Sequence, residues 1–415
     1  MKKLKIGIFG FGERGKQLSK TFMLANCDIV AVCDNRERCK NDAKNELGDE
    51  VVIYNDFDAF IEHDMEAVIL TNYFHEHAPF AIRCFEKGLH VYSECISNGT
   101  MADGVSLIRA FEKSNCVYMI GENYPQMIFN REMRRVRDSG TLGKILYAEG
   151  EYNHPIGEDH VYYKQYFNYF REHWRNYLPA TYYITHSLGP IMWITGATPK
   201  KVTAFAVFEP FGEDEPTARR SADRAAIITT QNDDGSIFRV TACSAFGGHH
   251  NAYRVCGTKG QIENLRGMGT SVMLRYNDWE IPEGANEINN YEPKWNDKDE
   301  DIIVKSGHGG GDYLTARIFV ESVSNGVQPE HPYDIYSAVT MSSVAILAHK
   351  SVLNNGAPYD IPDFKNSEEA RKQYENDYDT PFWSEGKAPT LPQCSKTDYA
   401  PTEKQLQGND AIYLK

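Results

Sequence analysis

A glycine-rich turn at residues 10–15 constrains the fold of this chain more than any other feature of its sequence. An apolar run at residues 4–9 precedes the turn and predicts a strand, and the residues after the turn have the spacing of a helix. The turn has the pattern Gly-x-Gly-x-x-Gly, and Asp34 ends the next apolar run. A strand, this turn, a helix and a later acidic residue together predict a dinucleotide-binding unit.

Each position of this motif has a physical role. Gly10 permits the tight turn, Gly12 lets the backbone approach a pyrophosphate, and Gly15 allows close packing of helix on strand. The helix N-terminus faces the phosphates. Asp34 suits ribose hydroxyls and repels a 2′-phosphate, so NAD is expected as the cofactor and NADP is disfavoured, although Arg36 weakens that preference. The cofactor contacts expected here are Gly10, Phe11, Gly12, Glu13, Arg14, Gly15, Asp34, Asn35 and Arg36.

The hydrophobic pattern changes near residue 122 and divides the chain into two domains. Up to that point, apolar runs alternate with helical patterns, which predicts an α/β Rossmann domain with a doubly wound parallel sheet over residues 1–121. Beyond it, period-two runs follow one another, which predicts an α+β domain with a large, mostly antiparallel sheet over residues 122–362. Residues 363–415 are expected to form an irregular arm on the surface.

Composition excludes several classes of protein. The chain has 415 residues, which exceeds the roughly 250–300 residues at which single cores stop growing. A net charge of −14 disfavours nucleic-acid binding, and no apolar run approaches the roughly 20 residues of a membrane helix. Nine cysteines without a C-x-x-C pair predict neither disulfides nor a zinc site and favour a cytoplasmic location. The paired residues 249–250 are histidines without further nearby ligands, so no metal is expected.

The motifs resemble those of the glucose–fructose oxidoreductase/inositol dehydrogenase (Gfo/Idh/MocA) superfamily over residues 1 to about 362. Besides the glycine turn and Asp34, the matching segments are 67–71 with 77–78, 88–94, 142–145 and 257–262. The resemblance implies an NAD-dependent oxidoreductase. It adds six expected cofactor contacts: Thr71, Asn72, His77, Glu94, Cys95 and Asn123.

Two departures from that superfamily point to a subgroup. Cys95 stands where the superfamily has a lysine, and only His186 remains of its Asp-x-x-x-His-x-x-Asp motif. Residues 185–190, Thr-His-Ser-Leu-Gly-Pro, resemble the "THGLGP" of NAD-dependent α-N-acetylgalactosaminidases, which also lack the lysine. Segments 122–123, 148–154, 308–312 and 356–358 resemble others of that subgroup. The tyrosine that those glycosidases use falls on Gln126, and Tyr124 lies close by.

His186 is the best candidate for proton transfer, because an imidazole titrates near neutral pH. A helix over residues 181–193 would bring Tyr182 to the same helix face, at i−4. His186, Tyr182 and Tyr124 are therefore the expected catalytic residues. The primary expectation is an oxidoreductase that transfers a hydride from a ring C–OH of a sugar or glycoside to the nicotinamide. The alternatives are a glycosidase that works by transient oxidation, elimination, water addition and re-reduction, and a non-catalytic NAD-binding regulator.

Substrate contacts are expected from His154, Trp174, Arg175, His308 and Asp312, and Asp312 is also suited to capping a helix. Aromatic faces stack on sugar C–H surfaces, so an aromatic-rich stretch is a further candidate. That stretch contains Tyr162, Tyr163, Tyr166, Phe167, Tyr169, Phe170, Trp174 and Tyr177, together with Arg171. The resemblance also implies a homo-oligomer, either a dimer or a tetramer, paired through the broad sheet. No nucleic acid or membrane partner is expected.

Overall fold

The N-terminal domain contains a six-stranded, wholly parallel sheet. A computed structural model describes residues 3–155, 173–217, 219–384 and 386–413. The sheet order is β3-β2-β1-β4-β5-β6. The strands are β1 (Leu4–Phe9), β2 (Cys27–Cys33), β3 (Val52–Tyr54), β4 (Ala67–Leu70), β5 (His90–Ser93) and β6 (Tyr118–Ile120). The predicted Rossmann fold is confirmed.

Helices cover both faces of this sheet, which explains why its strands are apolar on both sides. Ile6, Ile8, Val68 and Ile69 have no exposed surface. The strand order reverses between β1 and β4, and in such sheets the ligand crevice lies at that point, beyond the carboxyl ends of the strands. The helices are α1 (Glu13–Leu24), α2 (Glu37–Leu47), α3 (Phe57–Phe60), α4 (His77–Glu86) and α5 (Met101–Phe111).

The second domain contains a nine-stranded sheet in the order β14-β13-β12-β11-β7-β10-β9-β8-β15. Its β7–β10 pair is parallel and its other pairs are antiparallel, which confirms the predicted architecture. The strands are β7 (Ile145–Asn153), β8 (Pro199–Phe208), β9 (Asp223–Asn232), β10 (Ile237–Ser244), β11 (His250–Gly257), β12 (Gly260–Asn264), β13 (Val272–Tyr276), β14 (Ile288–Tyr291) and β15 (Tyr359–Asp360).

Helices cover one face of this sheet. At Gly150 on β7, an added Cβ would lie 2.0 Å from the carbonyl oxygen of Ser187, so glycine allows the central strand and a helix to approach closely. Alternate residues such as Glu149 and Glu151 point to the opposite face. The helices are α6 (Ile128–Asp138), α7 (Thr185–Thr195), α8 (Glu300–Lys305), α9 (Gly311–Asn325) and α10 (Ile335–Leu353).

The C-terminal arm contains two helices, α11 (Glu368–Lys372) and α12 (Glu403–Tyr413), and it contacts both domains. Arg371 donates to Glu112 of the Rossmann domain at 2.7 Å, and Lys350 of α10 donates to Asp377 at 2.6 Å. Phe382 is completely buried. The two helices of the arm were not predicted from the sequence. Buried side chains and ion pairs fasten the arm to both domains.

Candidate active site

The glycine turn leaves room for a ligand at one position only. Gly10 has φ +94°, and an added Cβ there would lie 2.6 Å from the Thr71 carbonyl oxygen. A Cβ on Gly15 would lie 2.3 Å from the carbonyl oxygen of Gly10, so both glycines are needed by the fold itself. A Cβ on Gly12 would meet only the guanidinium of Arg36, at 3.4 Å. Gly12 therefore keeps open space beside the start of α1.

Unsatisfied polar groups lie at the start of α1 and beyond the carboxyl ends of β4 and β6. Gly12 is the N-cap of α1 and no side chain caps it, so N–H groups of the first turn remain available to an anion. The side-chain oxygens Oδ1 of Asn72 and Asn123 are buried and have no hydrogen-bond partner among the described residues. Backbone N–H groups at the start of α1 and side-chain oxygens without hydrogen-bond partners both fit a bound dinucleotide.

Asp34 is suited to the ribose of such a ligand. Its carboxylate accepts from the backbone N–H of Phe11 at 2.8 Å and of Arg36 at 2.9 Å, and the Arg36 guanidinium lies 3.0 Å away. Burial would raise the pKa of Asp34, but the hydrogen bonds and charge of Arg36 outweigh it and lower the pKa. The carboxylate is therefore ionised at neutral pH and engages the guanidinium. Asn35 is exposed beside it.

The other expected cofactor contacts gather at the carboxyl ends of β4, β5 and β6. Thr71 donates to the Gly10 carbonyl oxygen, and the His77 Nδ1 atom lies 2.7 Å from the Ile96 carbonyl oxygen. Glu94 accepts from Arg14 Nε at 2.7 Å. The structure thus brings the expected cofactor contacts together at one edge of the sheet. They are the glycine turn with Glu13, the ends of β2 and β4, Glu94 and Cys95 after β5, and Asn123 after β6.

A buried imidazole–carboxylate pair lies at the junction of the two domains. The Nδ1 atom of His186 is 2.9 Å from both carboxylate oxygens of Glu122. Glu122 has no exposed surface and follows β6, whereas His186 lies in the first turn of α7. The carboxylate also accepts from the Tyr124 backbone N–H at 3.1 Å and faces the Cys95 sulfur at 3.5 Å.

The charge of Glu122 fixes the role of each ring nitrogen of His186. Burial would raise the pKa of Glu122, but the attraction and hydrogen bond of the His186 imidazole, together with the hydrogen bond from the Tyr124 backbone N–H, outweigh burial and lower it. An ionised carboxylate only accepts hydrogen bonds, so Nδ1 of His186 carries the proton. In the neutral imidazole, Nε2 is then left with a free electron pair. This atom lies 3.3 Å from the hydroxyl of Tyr183.

Three tyrosine rings enclose His186. The ring centroids of Tyr124, Tyr152 and Tyr183 lie 4.1, 5.1 and 5.1 Å from that of the imidazole. Phenol faces and hydroxyls around a histidine form a site that can stack on a sugar ring and bond its hydroxyl groups. Tyr152 and Tyr183 were not among the expected site residues.

Tyr182 does not share a face with His186, and that prediction is wrong. Helix α7 begins at Thr185 rather than at residue 181, so Tyr182 precedes the helix and the i−4 spacing does not apply. Its ring contacts Phe382 of the arm at 5.1 Å and His349 at 5.9 Å. Tyr182 is completely buried, and burial raises the pKa of its hydroxyl. The neighbouring Tyr183 faces His186 in its place.

A second imidazole–carboxylate pair lies beside Tyr124. The Nδ1 atom of His308 is 2.8 Å from Asp312, and the His308 ring centroid lies 5.9 Å from that of Tyr124. Asp312 also accepts from Arg14 Nη2 at 2.9 Å and from Asn123 at 2.7 Å. Burial opposes ionisation, but these partners lower the pKa of Asp312 far below its ordinary value. Both carboxylate oxygens of Asp312 therefore have hydrogen-bond partners within the protein, Oδ1 with Arg14 and Asn123 and Oδ2 with His308.

The remaining expected substrate contacts differ in accessibility. The His154 ring lies 5.7 Å from Tyr152 and 4.5 Å from His249, and burial, with the charge of His249, lowers the pKa of His154 to about 4. Trp174 is 8% exposed, stacks on a phenylalanine at 4.8 Å and lies under the Arg175 guanidinium at 4.3 Å, so little of its indole is open to a sugar. Residues 162–171, including Arg171, lie outside the described residues.

Gln126, at the position of the glycosidase tyrosine, is buried and donates to the Tyr333 hydroxyl at 2.8 Å.

Within the described ranges, no group of three or more His, Cys, Asp or Glu side chains could hold a metal ion. No helix in these ranges is long and apolar enough to cross a membrane.

Glu122, Tyr152 and Tyr183 complete the site but were not singled out from the sequence. For Glu122 a signal existed, because it follows a parallel strand and functional residues gather at such strand ends. For Tyr152 and Tyr183 the contact with His186 depends on how α7 lies across β7, which has no local signature.

Comparison with known proteins identifies both domains. Residues 4–122 match the model of the oxidoreductase family with an NAD-binding Rossmann fold, which confirms the expected cofactor domain. Residues 131–371 match the model of the glycosyl hydrolase 109 C-terminal domain. The second match covers more than half of the chain.

Curated relatives and solved structures agree with these matches. A glycosyl hydrolase family 109 protein of Saccharopolyspora erythraea is 26% identical over 87% of this chain and 83% of its own. An alpha-N-acetylgalactosaminidase of Shewanella oneidensis is 23% identical over 88% and 85%. The structure of levoglucosan dehydrogenase with NADH and levoglucosan superimposes with a TM-score of 0.72 at 17% identity, covering 87% of this chain and all of that one. The chain belongs to the glycosyl hydrolase 109 family and carries an NAD-binding Rossmann domain of the Gfo/Idh/MocA type.

Proposed function

We propose that this protein cleaves a glycoside through transient oxidation of a ring hydroxyl, with NAD as a catalytic cofactor. The observation that carries the proposal is the presence of two imidazole–carboxylate pairs, His186–Glu122 and His308–Asp312, which both contact the Tyr124 ring. A simple sugar dehydrogenase needs one group that accepts the hydroxyl proton. Expulsion of a neighbouring leaving group needs a second group that donates a proton.

His186 accepts the proton of the ring hydroxyl in the first step. NAD held at the glycine turn would supply the acceptor for the hydride of the ring carbon and the source of the same hydride for the later reduction. The Nε2 atom of His186 takes the proton, while Glu122 holds Nδ1–H and stabilises the imidazolium that forms. The Tyr183 hydroxyl, 3.3 Å from Nε2, fixes the substrate hydroxyl beside it.

His308 and Tyr124 serve the bond-breaking step. The ketone acidifies the C–H next to it, and loss of that proton lets the leaving oxygen depart from the adjacent anomeric carbon. Tyr124 lies between the two histidines in position to assist removal of the C–H proton, and His308, held by Asp312, gives a proton to the leaving oxygen. Water then adds at the anomeric carbon and a proton returns to the neighbouring carbon. Reduction of the ketone by the retained hydride completes the cycle, so the net reaction is hydrolysis.

The relative named alpha-N-acetylgalactosaminidase makes N-acetylgalactosaminides the first substrates to test. The experiment incubates the NAD-loaded protein with a panel of glycosides and free sugars and measures released sugar and NADH absorbance together. We expect sugar release over many turnovers without accumulation of NADH. No release from any glycoside, or NADH in amounts equal to product, would contradict the proposal.

A sugar dehydrogenase is the second candidate. The observation that favours it is Gln126, which replaces the tyrosine of the resembled glycosidases and is buried against Tyr333. Such an enzyme would oxidise a free sugar or glycoside, release a ketone and leave one NADH for each ketone. The same panel distinguishes the two reactions.

We also propose that the protein is a homo-oligomer, either a dimer or a tetramer, in the cytoplasm. The uncovered sheet face carries exposed apolar residues, with Phe205 64%, Val207 53% and Ile237 44% exposed, and such patches mark interfaces. The eight cysteines whose state is described are free thiols, which suits a reducing compartment. Light scattering should give a multiple of the 47.2 kDa chain mass, and cell fractionation tests the location.

A further inference from the structure

A cleft of about 280 Å³ lies between the start of α6, the start of β11 and the turn that joins β12 to β13. The start of α6 forms one wall, with Met127 and Phe129, and the turn between β12 and β13 forms another, with Leu265 and Thr270. None of these residues was among the expected site residues, and the reaction described above does not use them.

Two lining residues adjoin the candidate active site. The ring centroid of His249 lies 4.5 Å from that of His154, which in turn contacts Tyr152. Gly309 directly follows His308, the proposed donor to the leaving oxygen. A group attached to that oxygen would therefore begin beside the cleft.

The lining defines what the cleft can hold. Met127, Phe129 and Leu265 make its wall apolar, and the side-chain oxygen of Asn251 is buried without a hydrogen-bond partner among the described residues. The lining also includes two imidazoles, those of His249 and His250. Within the described part of the chain, the lining includes no Lys, Arg, Asp or Glu side chain. Pockets for drug-sized ligands measure roughly 300–1,000 Å³, so this cleft is sized for about one ring.

We propose that this cleft is the leaving-group subsite, which binds an uncharged, partly apolar group of about one ring attached to the cleaved oxygen. The proposal rests on the proposed function and adds a substrate class to it. It predicts that the size of the leaving group, at constant sugar, changes affinity through contacts with the turn between β12 and β13.

The test compares the methyl and the 4-nitrophenyl glycosides of N-acetylgalactosamine on the NAD-loaded protein. Affinity is measured by calorimetry, and turnover by sugar release. The variant Thr270→Trp fills part of the cleft, whereas the matched control Met268→Trp places the same side chain on the same turn outside the lining. We expect Thr270→Trp to weaken 4-nitrophenyl glycoside binding by about 10-fold and leave the methyl glycoside unchanged. Met268→Trp should change neither.

The outcomes separate the subsite from the function. Equal affinity of the unsubstituted protein for the two glycosides, or a Thr270→Trp variant that retains full preference for the 4-nitrophenyl compound, would overturn the subsite while turnover stands. Failure of the unsubstituted protein to bind or cleave any glycoside of the panel would overturn the proposed function, and the subsite with it; if the panel identifies another sugar, the methyl and 4-nitrophenyl glycosides of that sugar replace the pair.

Discussion

The Nδ1 atom of His186 lies 2.9 Å from both carboxylate oxygens of Glu122, although 64 positions separate the two residues in the chain. Glu122 comes from the end of the Rossmann sheet and His186 from the second domain. The contact therefore joins the cofactor crevice to the proposed sugar site, and it directs the free electron pair of the imidazole toward Tyr183. The proposed base is this pair rather than His186 alone.

His186→Ala should lower kcat by about 10²–10⁴-fold, because a general base contributes that much to proton transfer. NAD affinity should remain within error of the unsubstituted value, since the glycine turn is untouched. The measurement is steady-state kinetics together with NAD titration. His90→Ala is the control, because His90 lies at the amino end of β5, away from the crevice. Unchanged turnover in His186→Ala would remove it from the proton-transfer role.

Glu122→Gln should lower kcat by about 10²-fold or more with little change in KM, because the glutamine keeps the shape but removes the charge that stabilises the imidazolium. Removal of that charge should also move the acid limb of the pH–rate profile to lower pH. Glu132→Gln alters another buried carboxylate, which pairs with Arg135 at 2.6 Å, and should leave the profile in place. A purely structural Glu122 would lower protein yield or stability without moving the profile.

Gly12→Val should weaken NAD binding at least ~10-fold, equivalent to about 1.4 kcal/mol, because the new side chain fills the space above the turn. Thermal unfolding without NAD should change little, since Gly12 has an ordinary φ of −73° and only Arg36 lies near its missing Cβ. Gly10→Ala is the contrasting variant and should lose stability itself, because its φ is +94°. Equal NAD affinity in Gly12→Val would argue against a dinucleotide at this turn.

Asp312→Asn should lower the free energy of unfolding by about 1.5–3 kcal/mol at neutral pH, since it removes charged hydrogen bonds to Arg14 and His308. The folded state depresses the pKa of Asp312, so its contribution is fully present well above the unfolded value of about 3.9 and declines as pH falls through that value toward the much lower pKa of the folded state. Denaturant unfolding at several pH values measures this. Asp42→Asn, in a more exposed pair with Lys16, should cost about 0–1 kcal/mol. A stability difference between Asp312→Asn and the unsubstituted protein that does not shrink in acid would contradict the assignment.

The fold was predictable because its signals are local. The change from alternating apolar runs and helical patterns to period-two runs separated the two kinds of sheet, and the glycine turn indicated the cofactor crevice. Helix α6 was not predicted because charged side chains dominate it, although its buried residues Phe129, Met133 and Val136 recur at helical spacing. The predicted start of α7, at residue 181, lies four residues before the observed start at Thr185. The predicted helix face therefore contained Tyr182 instead of Tyr183.

The site was predictable only in part because its key contacts are tertiary. His186 stands out by chemistry, but its partner Glu122 meets it only when β6 and α7 come together. The sequence predicted that Asp312 caps a helix or contacts substrate. It did not indicate the hydrogen-bond partners Arg14 and Asn123, which lie about 300 and 190 positions away in the chain. Sequence spacing contains no information about such pairs.

Deuterium incorporation distinguishes transient oxidation with elimination from simple dehydrogenation. The protein is incubated in deuterated water with a glycoside that it cleaves, and the released sugar is analysed by NMR while NADH absorbance is followed. Transient oxidation followed by elimination predicts deuterium at the carbon next to the oxidised one, with sugar release and no accumulation of NADH. Sugar released without deuterium at that carbon, or a ketone released with one NADH for each molecule, would contradict it.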